Sequence, residues 1–151
     1  MFSPVPTRNL FNDRIQVEAA KQEEYMLKHI TIFDVDKMCG NEFESFLSIL
    51  FSRMGYNARV TERHDQGIDV IAIKDGVKLG IQAKRFKGNV GNSAVQEVVA
   101  GLTIHGCNKA LVVTNSNFTN SAIALAKANN VELWDREVLI KHMRKFSVNK
   151  D

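Results

Sequence analysis

Asp69, Gln82 and Lys84 are polar residues set among apolar strand formers, with Ile68, Val70 and Ile71 on one segment and Ile81 on the other. If the segments 68–74 and 77–86 form a hairpin closed by the two-residue turn Asp75-Gly76, residue 69 pairs with residue 82. Directly opposed strand residues have Cβ atoms about 4.5–5.5 Å apart, close enough for one hard cation to touch a carboxylate and an amide oxygen together. Side chains alternate along a strand, so Lys84 projects from the same face as Gln82. A carboxylate, an amide oxygen and an ammonium on a buried strip of sheet are poor core chemistry, and such an inconsistency marks a functional site. The chemistry that suits these groups is phosphodiester hydrolysis. Mg2+, or Mn2+ in its place, takes oxygen ligands from Asp69, Gln82 and the Ala83 carbonyl, stabilises charge on the phosphate and acidifies a bound water, with Lys84 alongside. A buried, hydrogen-bonded salt bridge among the three is the competing reading.

The elements that must position these groups are legible in the pattern of apolar residues. Phe43, Phe46, Leu47, Leu50, Phe51 and Met54 have helical spacing, and Gly55 stands where a helix would stop. Glu44 lies beside that stripe, about 100° around the helix from Phe43, and leans toward the sheet edge as a further oxygen ligand. Asn41 and Glu44 also have capping-box spacing, so cap and ligand both stay open. Strands follow at 56–61, 68–74 and 77–86, then a helix opened by a Ser93/Gln96 capping box and running to about Ile104. A buried strand over 109–115, a helix capped by Thr119, a strand over 131–134 and a helix capped by Asp135 complete the chain, with Trp134 and Leu139 spaced as a hydrophobic staple. The order α β β β α β α β α predicts an α/β fold, a mixed central sheet flanked by helices. Residues 1–34 read as an N-terminal helical extension that docks on the body or meets a partner subunit, and residues 35–151 as the domain proper.

With 151 residues, 44% of them hydrophobic, the chain is large enough for one packed domain but not for a multidomain machine. Its apolar runs fall far short of the ~18 residues that cross a bilayer, and no signal-peptide segment opens it, so a cytoplasmic protein away from membranes is expected. Cys39 and Cys107 form neither a CxxC nor a zinc pattern. A net charge of +3 permits polyanion binding without arguing for it. The loop Lys87-Gly-Asn-Val-Gly-Asn92 lacks the spacing of a nucleotide-binding loop.

Arg63, His64, Arg85 and Lys87 flank the proposed site and are candidate DNA phosphate contacts, with solvated surface charge as the plainer reading. Asn115 to Thr119 precede a helix N-terminus, a natural phosphate position, although capping by Thr119 would account for them. Gln96 could reach the site edge, but its capping role explains it with less. His105 and His142 read as surface or packing residues.

Asp65-Gln-Gly-Ile-Asp69 followed by Ile81-Gln-Ala-Lys84-Arg85 resembles the active-site signature of Mrr-type restriction endonucleases, a branch of the PD-(D/E)XK nuclease superfamily in which glutamine replaces the usual acid before X-Lys. Gly40-Asn-Glu-Phe-Glu44, Met54-Gly-Tyr56, Val95-Gln-Glu97 and Val113-Thr-Asn-Ser-Asn-Phe-Thr119 resemble the flanking elements, so the likeness covers about residues 40–140. The resemblance implies a restriction-endonuclease-like core in which Glu44, Asp69 and Gln82 hold Mg2+ and Lys84 assists the attacking water. Gln66 stands where the family more often has glycine, and Ile68 where the superfamily has proline; neither removes a ligand. The resemblance further implies a metal-dependent DNA endonuclease of restriction type. A structure-selective repair or junction-resolving nuclease is the alternative that the same core would serve. A non-catalytic DNA-binding or assembly module is the other alternative, and retention of Asp69, Gln82 and Lys84 together argues against it. One site cuts one strand, so duplex cleavage points to a homodimer. The 34 N-terminal residues are too few for a separate recognition domain, and no target sequence is implied.

Overall fold

The computed structural model describes residues 9–62 and 67–146, with side chains described throughout except at 23–28. Three helices precede the sheet: α1 (Leu10–His29), α2 (Ile32–Asp36) and α3 (Gly40–Arg53). Residues 30 and 31 separate α1, 20 residues long, from α2. Thr31 caps α2 by accepting from the Asp34 N–H, and the Asp34 carboxylate accepts from the Thr31 N–H in return. Helix α2 straddles the expected boundary at 34/35, and its Val35 is fully buried.

Strands β1 (Asn57–Val60), β2 (Val70–Lys74) and β3 (Val77–Lys84) form an antiparallel meander. Helix α4 (Asn92–His105), β4 (Lys109–Thr114), α5 (Asn120–Ala128), β5 (Val131–Trp134) and α6 (Arg136–Phe146) follow. The sheet order is β1-β2-β3-β4-β5, with β3, β4 and β5 parallel. The expected α/β architecture and mixed sheet are therefore present. Parallel strands buried on both faces read as unbroken apolar runs, and β4, buried from Ala110 to Thr114, shows this.

The β2–β3 hairpin has the register expected from a turn at Asp75 and Gly76, from Val70 opposite Ile81 to Lys74 opposite Val77. Both turn residues have positive φ, 51° and 77°, the backbone a twisted two-residue hairpin turn requires. One face of the sheet packs on α3 and α6 through Phe43, Phe46, Leu47, Ile81, Leu111, Trp134 and Leu139. The other packs on α4 and α5 through Ile68, Ile71, Val95, Val98, Val112 and Ala122. The caps expected at Thr119 and Asp135 are made: Thr119 accepts from the Ala122 N–H at 3.0 Å and Asp135 from the Val138 N–H at 3.0 Å. Two other caps differ. Gly91, not Ser93, is the N-cap of α4, so the Ser93/Gln96 box does not form, and Gln96 lies on the exposed face. The N-cap of α3 is Cys39, two residues before Asn41, and the Cys39 N–H donates to Glu42 at 3.1 Å, so Glu42 does the capping that the spacing allowed to Glu44. His142 is a packing residue, stacked on Trp134 with ring centroids 3.8 Å apart.

Candidate active site

Asp69 stands one residue before β2, where the ladder loosens: its N–H donates to the Ile81 carbonyl at 2.8 Å. Its carboxylate stands within electrostatic reach of Lys84 and Glu97. It reaches over to accept from the Ala83 N–H at 2.8 Å. The approach to this position depends on Gly67, whose φ of 83° suits glycine and whose Cα lies against the α4 backbone. A Cβ at Gly67 would collide with the Glu97 carbonyl, so the loop closes onto α4 only without a side chain.

Glu44, freed from capping, comes from α3 to hydrogen-bond Asp69. Burial, together with the Asp69 charge and that hydrogen bond, pushes the Glu44 carboxyl up to about 7. Asp69 is also raised, by burial, against the opposing pull of the Ala83 N–H and the Lys84 ammonium. Two carboxylates in contact cannot both ionise cheaply, so near neutral pH the pair holds a proton. They line a cleft of about 240 Å³ with Asn41, Ser45, Val60, Thr61 and Glu62.

Gln82 and Lys84 share a face, as expected, and both turn to a residue the sequence reading passed over. Glu97 of α4 accepts from Gln82 Nε2 at 2.9 Å and from Lys84 Nζ at 3.0 Å through the same oxygen, Oε2. A carboxylate only accepts, so the amide nitrogen must face Glu97 and the amide oxygen must face away. That oxygen, Gln82 Oε1, is buried and has no hydrogen-bond partner. The signal for Glu97 lay in helix phase: it is three residues after Ala94 and four before Gly101, both buried. Gln96, the residue weighed instead, is about 100° away around the helix.

Asp69, Gln82, Lys84 and Glu44 are therefore assembled as two pieces, a carboxyl pair and a Gln–Lys–Glu triad. Among the described residues no group of three His, Cys, Asp or Glu side chains is placed to hold a metal ion. The oxygen set is instead two carboxylates and an amide oxygen. Carboxylates that keep a proton for want of positive charge, together with an orphaned amide oxygen on β3, suit a hard divalent cation.

The candidate phosphate contacts divide. Arg63 and His64 lie outside the described residues. Lys87 is exposed. Arg85 is half-buried and turns inward, donating from Nη1 to the Asp36 carbonyl at 3.3 Å. Asn115 is corrected from surface contact to buried link: it is 4% exposed, its Oδ1 accepts from the Phe86 N–H at 2.7 Å, and its Nδ2 donates to Asp36 at 2.9 Å. The Thr119 hydroxyl accepts the cap bond described above and does not stand free for a phosphate.

The restriction endonuclease family of Mrr catalytic domains matches residues 35–143. No curated protein matches the chain. Solved structures that share the fold include these two. The protein of unknown function AF1548 is 19% identical with a TM-score of 0.55, the match covering 67% of this chain and 64% of that one. The MspJI restriction endonuclease in complex with a 27-mer oligonucleotide is 17% identical with a TM-score of 0.56, the match covering 99% of this chain and 36% of that one. The chain thus spans less than two thirds of either neighbour's length. Among the described residues no helix is long and apolar enough to cross a membrane. With the family matched across the sheet and both pieces of the site, this chain belongs to the Mrr catalytic-domain family of restriction endonucleases.

Proposed function

We propose that the chain is a divalent-metal-dependent DNA endonuclease, with Glu44, Asp69, Gln82 and the Ala83 carbonyl holding the cation. The observation that carries this reading is the buried Gln82 Oε1 without a hydrogen-bond partner, on the strand whose next N–H holds Asp69. A cation bound there supplies charge stabilisation at the phosphate and acidifies a coordinated water. Glu44 and Asp69 give up their shared proton to receive it. Lys84 offers its ammonium to the phosphate and the attacking water, and Glu97 fixes that ammonium in place while holding the Gln82 amide nitrogen, which leaves the amide oxygen for the cation. Lys87, with Arg63 and His64, meets backbone phosphates, a salt-dependent contribution that carries no sequence information. Cutting both strands takes two such sites, and the reading supplies them as a homodimer, with residues 1–34 as an extension outside the nuclease domain.

The test is incubation of the purified protein with plasmid DNA in Mg2+, Mn2+ or EDTA. Nicking or linearisation in Mg2+ or Mn2+, none in EDTA, and a loss of roughly 100-fold or more in Lys84→Ala with DNA binding retained are expected. Equal cleavage by Lys84→Ala, or cleavage in EDTA, rejects the assignment.

A further inference from the structure

Phe86 is a large aromatic residue left 50% exposed, two positions after Lys84. An exposed phenylalanine alone is unremarkable in a protein surface. Phe86 differs in how its backbone is held. The buried Asn115 amide accepts the Phe86 N–H at 2.7 Å, just beyond the last β3–β4 pair, Lys84 and Thr114, and is itself anchored to Asp36. Two residues on, the Gly88 carbonyl accepts from the Ser116 hydroxyl at 2.8 Å, and Val90 is bonded to Asn117 and Thr119. The ring lies over Gly88, where a Cβ would stand 3.4 Å from its edge. A buried polar side chain therefore fixes the strand end that presents an apolar ring to solvent.

The surroundings select what that ring meets. Lys84, the last residue of β3, lies two positions before it, and exposed Lys87 follows it. A ligand that offers negative charge and aromatic faces together is a nucleic acid strand. Two residues of extended chain span at most about 7 Å, or about two nucleotide steps of 3.4 Å. We propose that Phe86 stacks on a base displaced from the helical stack, one or two nucleotides from the scissile phosphate. This rests on the nuclease reading above and adds a base-stacking contact to it.

Binding of a single-stranded oligonucleotide, measured in EDTA so that nothing is cut, provides the test. Phe86→Ala is expected to weaken binding roughly tenfold, a typical loss for one base–aromatic stack. Phe86→Tyr and Phe86→Trp should retain it, and Phe86→Leu, apolar but without a π face, should not. The Trp introduced at 86 should also be quenched on binding, against the buried native Trp134, which is 4% exposed. Equal binding by Phe86→Ala, or full rescue by Phe86→Leu, overturns the proposal while leaving the nuclease reading intact if plasmid is still cut. Dissociation of a dimer by Phe86→Ala in sedimentation, with unchanged DNA affinity, assigns the ring to a subunit contact and also overturns it. A wild-type protein that neither binds nor cuts DNA defeats both.

Discussion

Two polar clusters meet the end of β3, and adjacent residues belong to different ones. Arg85 joins Asp36, Asn115 and Arg136, where the guanidinium of Arg136 grips Asp36 with two bonds of 2.7 and 3.0 Å and donates a third, of 2.9 Å, to the Asn115 carbonyl. The Arg136 hydrogen bonds hold the Asp36 carboxyl below its ordinary range. Lys84 joins Glu44, Asp69, Gln82 and Glu97, where two carboxyls are held above their ordinary range and a buried amide oxygen has no hydrogen-bond partner. Similar residue types thus serve opposite ends. In the first cluster charges find complements inside the protein and the gain is structural. In the second, the chain leaves negative charge and an acceptor uncompensated, as a site for an external cation would.

Among residues that only position the site, the largest effect is expected at Glu97. Glu97→Ala leaves Lys84 and Gln82 without their common acceptor, and cleavage should fall roughly 10- to 100-fold, as for other residues that orient a metal site from outside it. Glu97→Gln keeps an oxygen able to accept both bonds and should recover much of that loss. Plasmid cleavage rates for the two variants check this, with melting temperatures close to wild type.

Asp36→Ala acts on the other cluster and should read out as stability. It strands the Asn115 amide and the Arg136 guanidinium, at a cost of about 1–3 kcal/mol, visible in urea unfolding. Cation binding should be unchanged, because Asp36 belongs to the satisfied cluster.

These two clusters also titrate with opposite sign. Glu44 is raised from 4.5 to about 7, so its contribution to metal-free stability is full below pH 4.5 and is lost as pH rises through 7. Asp36 is lowered from 3.8, so its contribution is present above that pH and is lost as pH falls through its folded value. The melting temperature in EDTA should decline by a few degrees between about pH 4.5 and 7, and Glu44→Gln should flatten that decline without altering the acid limb. A decline of the same size in Glu44→Gln would place the titrating group elsewhere.

The fold was legible because its signals are local. Apolar periodicity marked α3 and β4, and the Asp75-Gly76 turn set the register that brings Asp69 level with Gln82. The site was legible only in part. Strand alternation placed Gln82 and Lys84 together, but it could not show that the Asp69 carboxylate takes the Ala83 N–H as a backbone donor. Glu97 was hidden by a capping pattern at Ser93 and Gln96 that the chain does not use, since Gly91 starts the helix earlier. Asn115 looked like a phosphate contact because its neighbours precede a helix. Its partner Asp36 is 79 residues away and the Asp36–Arg136 pair spans 100, separations that leave no trace in local spacing.

Titration calorimetry with Mn2+ just above neutral pH tests most directly whether the uncompensated cluster is a cation site. Wild-type protein should bind saturably and release protons as the carboxylate pair ionises, and Asp69→Asn, folded by circular dichroism, should lose that binding. An absence of binding by the wild type, or undiminished binding by Asp69→Asn, would contradict the assignment.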